Sequence, residues 1–168
     1  PGAGKTAIAA RLVQFSQGVA VPPASCPLFQ PGFVNAAHFC SANVGSWIDP
    51  TGFTRSVSLQ LARSHPGFAS VLVHAGERSV NIQVVQNVGQ ANKVSGVIIE
   101  NLVLTGLNPQ VAFNSTFTDP LTNALGVGDT RPIIILVDAL DEALAFRGDV
   151  NILTLLSSVN RLPANVRF

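Results

Sequence analysis

Two short stretches carry residues whose types and spacing suit phosphate chemistry. The first, PGAGKT at positions 1–6, has a glycine-rich turn followed at once by Lys5 and Thr6. Backbone N–H groups of Pro1, Gly2, Ala3 and Gly4 can form such a turn only in part, since proline has none; Gly2, Ala3 and Gly4 are the cradle, with Pro1 at its lip. Lys5 can then reach the β- and γ-phosphates as a mobile cation, and the Thr6 hydroxyl can coordinate magnesium. The second stretch, IIILVDALDE at 133–142, delivers Asp138 to the end of an apolar run and follows it with Asp141 and Glu142. Asp138 is placed to hold the magnesium. A carboxylate three or four residues on can orient an attacking water and take its proton, a role assigned first to Glu142 and next to Asp141.

Both stretches need elements to hold them. From Lys5 to about Gln17, Ile8, Ala9, Leu12, Val13 and Phe15 follow helical spacing, and Gly18 supplies a stop. A helix growing directly out of the glycine turn is the arrangement an anion site requires, because its dipole favours negative charge at that end. After a Pro- and Ser-containing loop, Val34 to Cys40 reads as a short buried strand. His38 and Cys40 leave it on the same face, but no further His, Cys or acidic cluster completes a metal site with them. The segment SANVGSWIDPTG at 41–52 reads as loop, Phe53 to Ser64 as a helix, and Pro66 to about Ala75 as a second one.

The β-branched runs at 79–88 and 94–104, separated by GQANK, predict a strand pair that interrupts the α/β alternation as an insertion over 79–105. Asn108 to Leu125 has helical spacing at Val111, Ala112 and Phe113, with Pro120 expected to break or kink it. RPIIILVD reads as a central strand of a parallel sheet, buried on both faces. Asp149 is the expected N-cap of a last helix whose apolar stripe is Val150, Leu153, Leu156 and Val159, and VRF at 166–168 opens another strand.

Composition narrows the setting. Hydrophobic residues make up 47% of the 168 and charged residues 11%, against roughly 25% charged in an average soluble domain. The deficit predicts surface covered by another part of a larger assembly. A net charge of +1 argues for neither direct nucleic-acid binding nor an anionic membrane. The longest apolar stretch, Ile133 to Val137, is far short of the about 20 residues of a membrane span. Cys26 and Cys40 form no disulfide framework.

With its GKT loop, its HFC strand, the helix TRSVSLQLA and the acid box DALDE, the chain resembles the NACHT group of STAND P-loop NTPases over nearly its whole length. The resemblance implies an α/β fold: a three-layer P-loop NTPase core with a parallel sheet flanked by helices, here truncated at both ends and carrying the β-hairpin-like insertion. The first glycine of the pattern G-x-x-x-x-G-K-S/T would precede Pro1, and the family's sensor arginine would follow Phe168. It further implies ATP/ADP and Mg as cofactors, self-association through the full-length protein, and a cytoplasmic switch in a larger signalling or defence protein. The expected activity is slow, Mg-dependent ATP hydrolysis. Two alternatives stand beside it: a nucleotide-gated scaffold that assembles without cleaving ATP, and a P-loop small-molecule kinase. The kinase reading lacks an arginine-rich lid, as Arg131, Arg147, Arg161 and Arg167 are scattered.

Overall fold

The computed structural model describes residues 4–79, 81–87, 98–125, 131–160 and 162–168. Pro1, Gly2 and Ala3 of the expected cradle, and the GQANK turn, lie outside the described residues.

The first helix, α1 (Lys5–Ser16), starts at Gly4, whose φ of 76° is left-handed, and ends before Gly18 at φ 71°. A side chain at Gly4 would meet no atom within 4 Å, so glycine is required there by backbone conformation and not by crowding. The Ala-rich sequence between the two glycines favours helix. At its far end the buried Ser16 ties the helix to the next element: its hydroxyl accepts from Val34 N–H at 2.9 Å and donates to the Val34 carbonyl at 3.1 Å.

Strand β1 (Ala36–Phe39) follows, within the predicted limits. The loop read after it is more ordered than its turn formers suggest. It contains a single helical turn, α2 (Gly45–Ile48), and the long helix α3 (Pro50–Ser64) begins three residues earlier than Phe53. The reason is local: Asp49 caps α3 by accepting from Gly52 N–H, and Pro50 occupies the first position, where a missing N–H costs nothing. Helix α4 (Pro66–Glu77) then packs on α3.

Strands β2 (Ile82–Asn87) and β3 (Ile98–Leu104) pair antiparallel, with a register shift between Val85 and Gln86. They form a separate two-stranded sheet laid against α3 and α4, with Ile82, Ile99 and Leu102 buried. The approach to α4 is close: a Cβ on Gly76 would come within 2.8 Å of a Val84 methyl.

The segment read as one helix, broken or kinked at Pro120, is continuous but changes pitch just before that residue. Helix α5 (Pro109–Phe113) runs into a π-helical turn (Asn114–Thr118) and then α6 (Asp119–Ala124). Asp119 N–H bonds to the carbonyl of Asn114, five residues back. Pro120 has no N–H to donate to the turn before it, and widening that turn by one residue lets the helix pass the ring.

Strand β4 (Ile133–Asp138) is central, as expected, lying parallel between β1 and the short β5 (Val166–Arg167). Burial on both faces holds only on one. Ile133 and Ile135 are buried in the main core with Phe53, Phe113 and Phe117, whereas Ile134 and Leu136 on the opposite face are half-buried. Helix α1 packs against β4 but contributes nothing to that core cluster. A 3-10 turn (Glu142–Ala145) and helix α7 (Ile152–Ser157) join β4 to β5. The cap of α7 is Asn151, whose side chain accepts from Thr154 N–H at 2.9 Å, and not Asp149. Ile152 and Leu155 are its fully buried residues; of the expected stripe, Val150, Leu156 and Val159 pack partly buried against the core and Leu153 is 42% exposed.

The structure is thus α/β, with a three-stranded parallel sheet and helices.

Candidate active site at the carboxyl end of the central strand

Parallel strands deliver their last residues to one end of the sheet, and there β1 and β4 finish side by side, with Phe39 opposite Asp138. Cys40 N–H donates to the Asp138 carbonyl at 3.1 Å, extending the ladder by one bond and fixing the two loops that follow.

Asp138 is half-buried, and its Oδ2 is sealed from solvent without a hydrogen-bond partner among the described residues. A buried carboxylate oxygen normally has a donor, so this one lacks what its chemistry demands. The next residue, Ala139, takes φ 56°, left-handed backbone for a residue that carries a side chain. Its small side chain limits the cost, and the bend turns the chain at once into the segment with Asp141 and Glu142.

Asp141 sits at the cap position of the 3-10 turn but makes no side-chain capping bond there, and it is exposed. Its carboxylate is therefore not occupied in holding the turn. Glu142 is half-buried, and its Oε2 accepts from Ala42 N–H at 2.8 Å, a contact across 100 residues of sequence. The three acids converge on Cys40: burial first, then Asp138, Glu142 and Asp141, push its thiol up to about 11. That thiol is protonated and unreactive at neutral pH.

His38 on β1 and Cys40, one residue past its end, are both buried. His38 Nε2 lies 2.9 Å from the Trp47 carbonyl, which can only accept, so this nitrogen carries the proton. Burial lowers the His38 pKa, partly offset by that hydrogen bond. Its partner is the backbone, and among the described residues no group of three His, Cys, Asp or Glu could hold a metal ion.

Of the expected phosphate-binding residues, Gly4 is left-handed, and Lys5 and Thr6 are exposed at the start of α1. The helix packs against β4, the strand that carries Asp138.

Compared with known protein families, with curated proteins and with solved structures, the chain has no match.

The fit of a magnesium nucleotide rests on the donor set alone. Magnesium keeps most of its waters and takes one or two protein oxygens, so a hydroxyl and one carboxylate suffice and no cage of three ligands is needed. The Oδ2 of Asp138, without a partner among the described residues, is such an oxygen.

Two residues outside both motifs prove structural to this end of the sheet. Gln60 on α3 pairs its side-chain amide with the free edge of β1: Ala37 N–H donates to its Oε1 at 2.9 Å, and its Nε2 donates to the Ala37 carbonyl at 2.9 Å. Ala42 supplies the amide that holds Glu142. A glutamine inside an amphipathic helix, and an alanine in a turn, carry no sequence signal of these contacts.

Proposed function

We propose that this chain binds ATP with magnesium and hydrolyses it slowly, as the nucleotide-switch part of a NACHT-type P-loop NTPase working in the cytoplasm and self-associating through the full-length protein. The observation that carries the reading is the Oδ2 of Asp138, sealed from solvent and without a hydrogen-bond partner among the described residues, at the end of the central parallel strand with Asp141 and Glu142 following it.

In this reading the amides at the start of α1 and the Lys5 ammonium bind the phosphates and offset their charge. Thr6 and Asp138 would hold a magnesium ion, which would supply positive charge to the phosphates. Glu142 takes the proton of the water that attacks the γ-phosphorus; the bond to the bridging oxygen breaks, and ADP and phosphate leave. Asp141, exposed one residue earlier, is the second candidate for that proton. ATP held without cleavage, as a scaffold, is favoured by a different observation: Glu142 is already engaged by the Ala42 amide.

The test is ATP affinity and turnover of Lys5→Ala and Glu142→Gln. Lys5→Ala is expected to weaken ATP binding, and Glu142→Gln to keep binding while turnover falls by about a hundredfold. Unchanged affinity in Lys5→Ala would remove the nucleotide site; binding with no turnover in the parent would leave the scaffold.

A further inference from the structure

A general base works only while its oxygen faces the water, and a glutamate side chain with three rotatable bonds does not hold one orientation unaided. In this chain Glu142 is held. Its Oε2 takes the N–H of Ala42 at 2.8 Å, and the donor belongs to a frame fixed from several directions. Ala42 is the second residue of a turn closed by Val44 N–H on the Ser41 carbonyl at 3.0 Å. The chain continues into α2, which packs against the 3-10 turn that contains Glu142. The Trp47 carbonyl of α2 is bound by His38 Nε2, back on β1. One residue before the turn, Cys40 N–H is bonded to the Asp138 carbonyl. The donor is therefore set in register with the strand that ends in Asp138.

We propose that the backbone amide of Ala42 is a positioning group for Glu142: it fixes one carboxylate oxygen and so aims the other at the attacking water. This rests on the reading of Glu142 as the base. It assigns the loop between β1 and α3 a part in the reaction, although no side chain of Ala42 reaches the site. The engagement of Glu142 then orients the base and does not withdraw it.

The experiment removes the N–H and little else. Ala42→Pro deletes the donor at a turn position that proline favours, and an ester in place of the amide at Ala42 deletes it with no ring at all. Ala42→Gly keeps the donor. The expected result is a fall in kcat of roughly ten- to a hundredfold in Ala42→Pro and in the ester, with KM for ATP and the melting temperature unchanged and Ala42→Gly at the parent rate. Parent or raised kcat in the ester overturns the proposal, a rise marking the contact as a brake. A loss in Ala42→Gly as large as in Ala42→Pro overturns it as well, because the donor would then not matter. Glu142→Gln, measured alongside, separates the two levels: if it leaves turnover intact, Glu142 is not the base and the positioning role falls with it. If it abolishes turnover while the ester does not change it, only the positioning role is wrong.

Discussion

Gln60 and Asp138 are both polar side chains set against the parallel sheet, and they have opposite fates. Gln60 is matched at both ends of its amide by Ala37, and its Nε2 is also 3.1 Å from the Ser56 hydroxyl. Asp138 Oδ2 has no partner among the described residues. The first is a polar group used to finish the structure: it satisfies an N–H and a carbonyl that the free edge of β1 would otherwise leave open. The second is a polar group without a partner among the described residues, at the carboxyl end of the sheet, where open α/β sheets in general bind ligands, and next to a left-handed Ala139.

Substitutions can break this contrast. The largest effect is expected from Asp138→Asn, which keeps the shape and removes the charge. Turnover should fall by about 10² to 10³, while the melting temperature stays level or rises, since the substitution removes a carboxylate oxygen that has no donor among the described residues. A marked drop in the melting temperature would make Asp138 a structural residue after all. Gln60→Ala should do the reverse: a loss of stability of about 1–3 kcal/mol in urea unfolding, from the unpaired groups of Ala37, with turnover per folded molecule unchanged. If activity falls while stability holds, the contrast between the two residues fails. Ser58 sharpens it further. Its Oγ is also buried without a partner among the described residues, but it lies inside α3 and not at the end of a strand. Ser58→Ala should be neutral or stabilise by about 1 kcal/mol, with normal turnover. A clear destabilisation would show that unpartnered burial is no guide to function in this protein.

Much of the architecture is legible in local pattern. The two glycines around α1, the unalternating run of β4 and the β-branched runs of β2 and β3 each announce their element, because glycine conformation and strand propensity act over a few residues. Errors fall where two local signals compete. Asp149 and Asn151 both have side chains that can cap a helix, and Asn151 is the one that caps α7. Pro120 signals a break in isolation, yet a π-turn absorbs it inside a segment buried through Phe113, Phe117 and Leu121. Asp49 and Pro50 together mark a helix start, and the surrounding turn formers hid it.

The candidate site divides in the same way. Residue types along the chain are enough to single out Gly4, Lys5, Thr6, Asp138, Asp141 and Glu142, because phosphate and magnesium chemistry needs particular groups at short fixed spacings. Only the tertiary structure decided which of the three acids has an oxygen without a partner among the described residues, which is exposed and which is held by an amide 100 residues away. Those states depend on what the parallel pairing of β1 with β4 brings alongside each carboxylate, and hydrogen bonds between distant segments leave no periodicity in the sequence that makes them.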